Sequence, residues 1–469
     1  MEKTHKIYFN KKYNLIITKI KDYNLKKEDI KEYFHKNKLD DFDNSSIEII
    51  NTINSWNIGI ILKDNKISEN INYLSNYLNK NFAKYVVDYI CGYGKLTNIM
   101  DDPNIEEIMI NNYEEIFILT RDSKKYVTDI IFTLKEYEDF LSVIKKTINS
   151  DFKKRFFIDG MLPNNSRINI VSKEIGLVNI ITIRKFTKKP LTILNLIKSN
   201  TLNLDAAAYL WTVADGFALR PANIFICGGT SSGKTTFLNI LLDFINPNSR
   251  IVLIEDTREI DLSAFKDSIS LVSDISNPNS LLEVTINTLR MRPDRIIIGE
   301  VRGKEAQGLF AAMDTGHEGC MTTLHANNSN DVITKLTSKP LEIPEVSINL
   351  LDVIVILKRK IVNGKVQRYV SEISEIQRVG NININKIYDS ENRNNLKLNF
   401  MSSSFLEKLC VLLNISKKDL QKIILYRCAI LEELLNKDNI DSVSFRKIIA
   451  NLPGYKEILI NMNKIGEKK

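Results

Sequence analysis

From Asn223 to Leu238 the sequence reads NIFICGGTSSGKTTFL, and Gly228, Gly233, Lys234 and Thr235 stand at the G-x-x-x-x-G-K-T spacing of a Walker A loop. That spacing suits phosphate. Backbone N–H groups of Gly228, Gly229, Thr230, Ser231, Ser232 and Gly233, and of the helix start at Thr235 and Thr236, can surround phosphate oxygens. Lys234 can neutralise the β/γ phosphates, and the Thr235 hydroxyl can hold Mg²⁺. Ile224 to Cys227 predicts a buried strand, and the residues after Thr235 have helical periodicity. A glycine turn that binds nothing is the alternative, and the strand, loop and helix order argues against it.

A phosphate loop also needs a group that positions water and a carboxylate that holds or tunes the metal. Two apolar runs end in such groups. IVLIEDTRE runs into Glu255, Asp256 and Glu259, and RPDRIIIGEVR runs into Gly299 and Glu300. The ends of parallel strands are where open α/β sheets bind ligands, so these carboxylates are expected to face the crevice of Lys234. Each could instead be a helix cap. A third stretch, GHEGCMTTLHANN, carries His317 and His325. His325 is read as a sensor of the terminal phosphate or a relay to the water, with a hydrogen-bonded structural histidine as the alternative. Two histidines with no evident fourth ligand fit no zinc pattern.

The elements that position these groups occupy only part of the 469 residues, a length that predicts about three domains. Residues 1–80 read as a mixed α/β extension, with a strand at Tyr13–Ile20 and helices at Lys26–Asn37 and from Ile67 to Tyr89. Trp56 and His35 there read as filler rather than ligands. Residues 81–187 read as an α+β domain with a twisted sheet, ending in the linker TKKP. Residues 188–380 alternate strand and helix from the Walker A loop onward, which predicts a mostly parallel, RecA-like sheet, with a hairpin across Asn363-Gly364. Residues 381–469 read as a small helical appendage.

Composition narrows the partners little. The net charge of +8 is spread along the chain, which permits a plain solvated surface, nucleic acid or an anionic membrane surface. Basic residues are not interleaved with aromatics as a nucleic-acid motor would favour. The five cysteines are far apart and form no C-x-x-C pair, which fits a reducing cytosol. The start of the sequence lacks a signal-like apolar region and no stretch suits a membrane span, so a cytoplasmic protein with no direct membrane insertion is expected.

GGTSSGKTT, IVLIEDTREI, LRMRPDRIIIGEVRG and GHEGCMTTLHANN resemble, in order, the Walker A, Asp, Walker B and His boxes of the type II/type IV secretion ATPases. The upstream CGYGKLTNIMDDPNIEEIMIN, FIDGMLPNNSRINIV and ITIRKF are similar to the N-terminal domain of that family, in its tight-adherence pilus and type IV secretion branch. The resemblance spans about Tyr89 to Val379. It implies a PAS-like α+β domain before a RecA-like domain, and a homo-hexameric ring that binds Mg-ATP. It implies a cytoplasmic ATPase peripheral to the membrane, partnered by a polytopic inner-membrane platform protein and powering pilus-like assembly or secretion. Conjugative or effector transfer is the alternative, and a RecA-like nucleic-acid motor a more distant one.

By the same resemblance Glu300 activates water and holds Mg²⁺ directly or through water, Glu255 and Glu259 belong to the Asp box, and His325 is the His-box residue. Arg167 and Arg184 match arginines that reach the γ-phosphate. No aspartate precedes Glu300 in the Walker B box, which leaves the direct metal carboxylate unassigned. Ser231 stands where many members carry glycine, a form found in archaeal members, and predicts a backbone there that avoids a glycine-only conformation.

Overall fold

The computed structural model describes residues 93–460, with interruptions at 122–123, 149–155, 163, 186–190, 257, 274–279, 363–364, 380, 392–398, 438–439, 453, 455 and 459. The elements expected before Tyr89, with Trp56, His35 and Cys91, lie outside the described residues, as do TKKP and the Asn363-Gly364 turn. The chain divides at Phe186/Thr187 into two compact units.

In the first unit, helix α1 (Thr97–Asp101) precedes strands β1 (Ile105–Ile110), β2 (Ile116–Thr120) and β3 (Lys125–Val127). Helix α2 (Leu134–Thr147) follows, then β4 (Phe157–Met161), β5 (Arg167–Val171) and β6 (Ile180–Arg184). The six strands form an antiparallel sheet in the order β3-β2-β1-β6-β5-β4. Period-2 burial explains it: Ile168 and Ile170 of β5 and Ile181 and Ile183 of β6 point into one core with Tyr137, Leu141 and Ile144 of α2. Helix α2 starts where it does because Thr133 and Glu136 form a capping box. The Glu136 N–H donates to Thr133 Oγ1 at 3.2 Å, and the Thr133 N–H donates to Glu136 Oε2 at 2.8 Å. Two strands meet at a pair of arginines, Arg167 of β5 lying directly opposite Arg184 of β6.

The second unit begins with α3 (Ile193–Lys198), α4 (Leu204–Asp215), β7 (Ile224–Gly228), α5 (Lys234–Leu241), β8 (Ile251–Glu255) and β9 (Ser268–Val272). Next come α6 (Ser280–Thr288), β10 (Arg295–Ile298), α7 (Glu305–Asp314), β11 (Met321–Leu324), α8 (Ser329–Thr337) and α9 (Glu345–Ile348). Strands β12 (Val353–Val362), β13 (Lys365–Val379) and β14 (Asn381–Asp389) precede helices α10 (Ser404–Leu413), α11 (Lys417–Leu435) and α12 (Ser442–Ala450). The sheet has eight strands in the order β14-β13-β12-β7-β11-β10-β8-β9. From β12 to β9 all pairs are parallel, and β13 and β14 add antiparallel to that side. This is the RecA-like sheet. Its central strands are buried on both faces, which is why they read as unbroken apolar runs: Ile224 and Ile226 face one core, Phe225 and Cys227 the other.

The structure departs from the sequence expectation after Gly380. Residues 381–389 are a strand of this same sheet, and the sheet therefore runs past the boundary expected there. The alternation in NININKIYD carries a strand despite asparagine's poor strand propensity, because β13 supplies a register to pair with. Helices α10–α12 are where the sequence places helices, and buried charges tie them to the sheet and to earlier helical elements of this unit. Glu375 of β13 is fully buried and accepts from Tyr209 Oη (2.7 Å), the Ser404 N–H (2.7 Å) and the Phe405 N–H (3.1 Å), which caps α10. Arg427 of α11 donates to Asp215 at 2.7 Å between the rings of Trp211 and Phe217. Arg446 of α12 pairs with Asp243.

Candidate functional site

Strand β7 ends at Gly228 and α5 begins at Lys234, so residues 229–233 turn between them as the spacing requires. The turn is tight. A Cβ on Gly228 would collide with the Leu357 carbonyl oxygen and lie 3.2 Å from Ser232 Cβ. Gly233 caps α5 with φ 94°, a conformation in which a side chain is strained. Ser231 has φ 59°. The sequence predicts that serine there keeps the backbone out of a glycine-only conformation; the turn instead calls for the left-handed region, which favours glycine and which serine adopts at a cost of roughly 1–2 kcal/mol. Thr230 and Thr236 are exposed, while Gly229 and Thr235 are half-buried at the loop's surface.

The sheet order brings the boxes together. Strand β11 lies between β7 and β10, with Leu324 opposite Cys227 and Thr322 opposite Ile298. His325, the next residue, therefore emerges between the Walker A loop and Glu300. Lys234 Nζ donates to the Gly229 carbonyl (3.2 Å) and lies 3.3 and 3.4 Å from the two ring nitrogens of His325. His325 Nε2 lies 2.9 Å from Glu300 Oε1. Burial first, and the Lys234 ammonium second, hold the imidazole below its ordinary pKa, with Glu300 opposing. A neutral ring between a cation and a carboxylate is the result.

Two more groups complete the cluster. Arg302 pairs with Glu300 through Nη2 and lies 3.6 Å from Asp256 through Nη1. Glu255 is buried against Gly299, and its Oε1 accepts the N–H groups of Glu259 (3.0 Å) and Ile260 (3.1 Å). Burial pushes its carboxyl up to about 8 despite these bonds, which makes it a proton-holding group at neutral pH. Glu259 enters through its backbone. His317 does not join the site: its Nδ1 lies 3.2 Å from the Ala312 carbonyl at the end of α7.

The residues fit a phosphate and its Mg²⁺. Ser232 Oγ within the loop and Glu300 Oε1 beside His325 are buried atoms with no aligned hydrogen-bond partner among the described residues, and Gly228 and Gly233 leave the loop free of side chains at its two ends. In the first unit, Arg167 Nη2 lies 3.4 Å from Asp159, and Arg184 Nε lies 4.0 Å from Glu107, both arginines partly exposed.

Sequence reasoning assigned no role to Arg302, although it stands inside the Walker B box two residues past Glu300. It missed Arg368 of β13, whose Nε donates to the Ser231 carbonyl at 3.1 Å. No local signal marks Arg368, because only the long-range pairing of β12, β13 and β7 carries it to the loop.

The model of the Type II/IV secretion system protein family matches residues 94–383, more than half of the chain. Conjugal transfer protein TrbB of Rhizobium radiobacter is 32% identical over 294 residues, covering 59% of this chain and 85% of that one. An uncharacterized protein of Methanocaldococcus jannaschii is 41% identical over 249 residues, 51% of this chain and 34% of its own length. The chain spans about a third to a half of several curated relatives. The X-ray structure of the Legionella pneumophila ATPase DotB is similar over 78% of this chain and 94% of that one, at 17% identity and a TM-score of 0.46. With four ordered boxes assembled at one end of a RecA-like sheet, the chain belongs to the Type II/IV secretion system protein family.

Proposed function

We propose that the protein hydrolyses ATP to ADP and phosphate and, as a homo-hexameric ring, converts that hydrolysis into domain motion that powers pilus-like assembly or secretion. The observation that carries this reading is the contiguous row of Lys234, at the start of α5 beyond the loop after β7, His325 just after β11 and Glu300 just after β10. Backbone N–H groups of residues 228–233 and Lys234 hold the phosphates. Thr235 and Glu300, directly or through water, hold Mg²⁺, which when bound neutralises phosphate charge. Glu300 accepts a proton from the attacking water as its oxygen bonds to the γ-phosphorus and the bond to the ADP oxygen breaks. Neutral His325 keeps Lys234 and Glu300 apart in orientation without adding charge. Arg302 holds the other carboxylate oxygen, Oε2, and so orients Glu300 while Oε1 is left to accept from water.

Arg167 and Arg184 belong to the same reading as groups that meet the γ-phosphate, supported by their placement side by side on β5 and β6. The site of action is cytoplasmic, with a polytopic inner-membrane platform protein as partner. Conjugative or effector transfer is the second reading, favoured by the likeness to a conjugal transfer protein. ATPase assays on Glu300→Gln test the mechanism: kcat is expected to fall at least about 100-fold while ATP binding persists. Normal turnover in that variant would remove Glu300 from its role. Stimulation by DNA would favour a nucleic-acid motor instead.

A further inference from the structure

Beyond Leu357, which pairs with Gly228, the hairpin of β12 and β13 continues past the end of β7 and runs beside the Walker A loop. Arg368, opposite Arg359 on that extension, is the residue that reaches the loop. Its Nε donates to the Ser231 carbonyl at 3.1 Å, and its Cδ lies 3.3 Å from where a Cβ on Gly233 would stand. The guanidinium stem thus crosses the outer side of the loop over its two left-handed residues, Ser231 at φ 59° and Gly233 at φ 94°. Glycine holds such a φ without strain and serine does not. The Ser231–Ser232 peptide is gripped at both ends, since the Ser232 N–H donates to the Gly229 carbonyl at 3.3 Å. Successive backbone N–H groups form an anion cradle only while the peptides between them keep their orientation.

We propose that Arg368 is a positioning residue for the nucleotide loop: by holding the outward carbonyl of Ser231 it maintains the left-handed turn that a serine at 231 would otherwise leave. This rests on the reading of the loop as a nucleotide site, and it concerns ADP and ATP alike, because the contact is to the loop. Charge alone does not suffice. The donor is Nε, close to the stem, and lysine has no donor at that place, so Arg368→Lys should act as a partial loss.

The test combines nucleotide affinity with backbone exchange on the full chain. A fluorescent ADP analogue is expected to bind Arg368→Ala about tenfold more weakly than wild type, in line with the loss of one charge-assisted hydrogen bond. The double variant Arg368→Ala/Ser231→Gly is expected to return to within about twofold of wild type, because glycine adopts the turn unaided. Hydrogen exchange of the amides of residues 230–233, measured without nucleotide, should be faster in Arg368→Ala and slow again in the double variant. Unchanged exchange and affinity in Arg368→Ala would overturn the proposal. Weakened binding that Ser231→Gly fails to restore would overturn it as well, since Arg368 would then contact the nucleotide itself. Failure of the wild type to bind the analogue would remove the nucleotide reading instead, while the exchange data still decide whether Arg368 holds the loop.

Discussion

Glu255 shows how burial sets the chemistry of a single side chain. It ends an apolar strand in a place that reads as a ready anion, yet burial against Gly299 leaves it holding a proton, its carboxyl pushed up to about 8 against the two N–H donors that favour the charge. The folded pKa lies above the ordinary 4.5, so the stability from keeping the proton is complete below about 4.5 and lost as pH rises through about 8. Between about pH 6 and about pH 9 the wild type is expected to lose roughly 2 kcal/mol more than Glu255→Gln, read from urea unfolding at each pH. A parallel pH dependence of the two would show that Glu255 ionises freely. Residue types in the boxes were legible because each box is local in sequence. What Glu255 does was not, because it depends on what packs over it.

At the scale of elements, strand order decides the site. Each of β7, β8, β10 and β11 could be read from its apolar run, and the glycines and carboxylates at their ends from spacing. That β11 lies between β7 and β10, so that His325 touches both Lys234 and Glu300, follows from pairing between distant segments and has no local signature. The same holds for β9, whose five residues SISLV are only half-buried and give too short a pattern to read, and for β14, whose asparagines argue against a strand. Packing between strands also explains the first glycine of the loop. Gly228→Ala would drive a methyl group into the Leu357 carbonyl of neighbouring β12, where backbone cannot yield cheaply. The expected cost is about 1–3 kcal/mol with loss of nucleotide affinity, seen as a lower Tm and a raised Kd. A variant with wild-type Tm and Kd would show that the strands separate more easily than their register implies.

On the scale of the whole molecule, the last helices are tied to the rest of the second unit by three buried charges: Glu375 of β13 at the start of α10, Arg427 on Asp215 at the end of α4, and Arg446 on Asp243 just after α5. Removing one such carboxylate leaves several donors without an acceptor. Glu375→Ala is therefore expected to destabilise the second unit by about 3–5 kcal/mol, measured by denaturant unfolding. A loss below about 1 kcal/mol would mean that water replaces the carboxylate at α10. These anchors were invisible in the sequence, where Glu375 is one charged residue in a strand with others and its partners lie far away along the chain.

Strand β13 carries Arg368 at the nucleotide loop and, seven residues on, Glu375 at the start of α10. About 23 Å of hydrogen-bonded strand joins the two. β12 pairs with it along this stretch, with a bulge at Ser371, and β14 joins on the other side only from Glu372 onward, so a hydrogen-bonded strand rather than a loose tether connects the two ends. Helix α10 and residues 229–233 are joined through one strand: a displacement of the terminal helices would reach the loop through β13, and a shift of the loop would be felt where those helices begin.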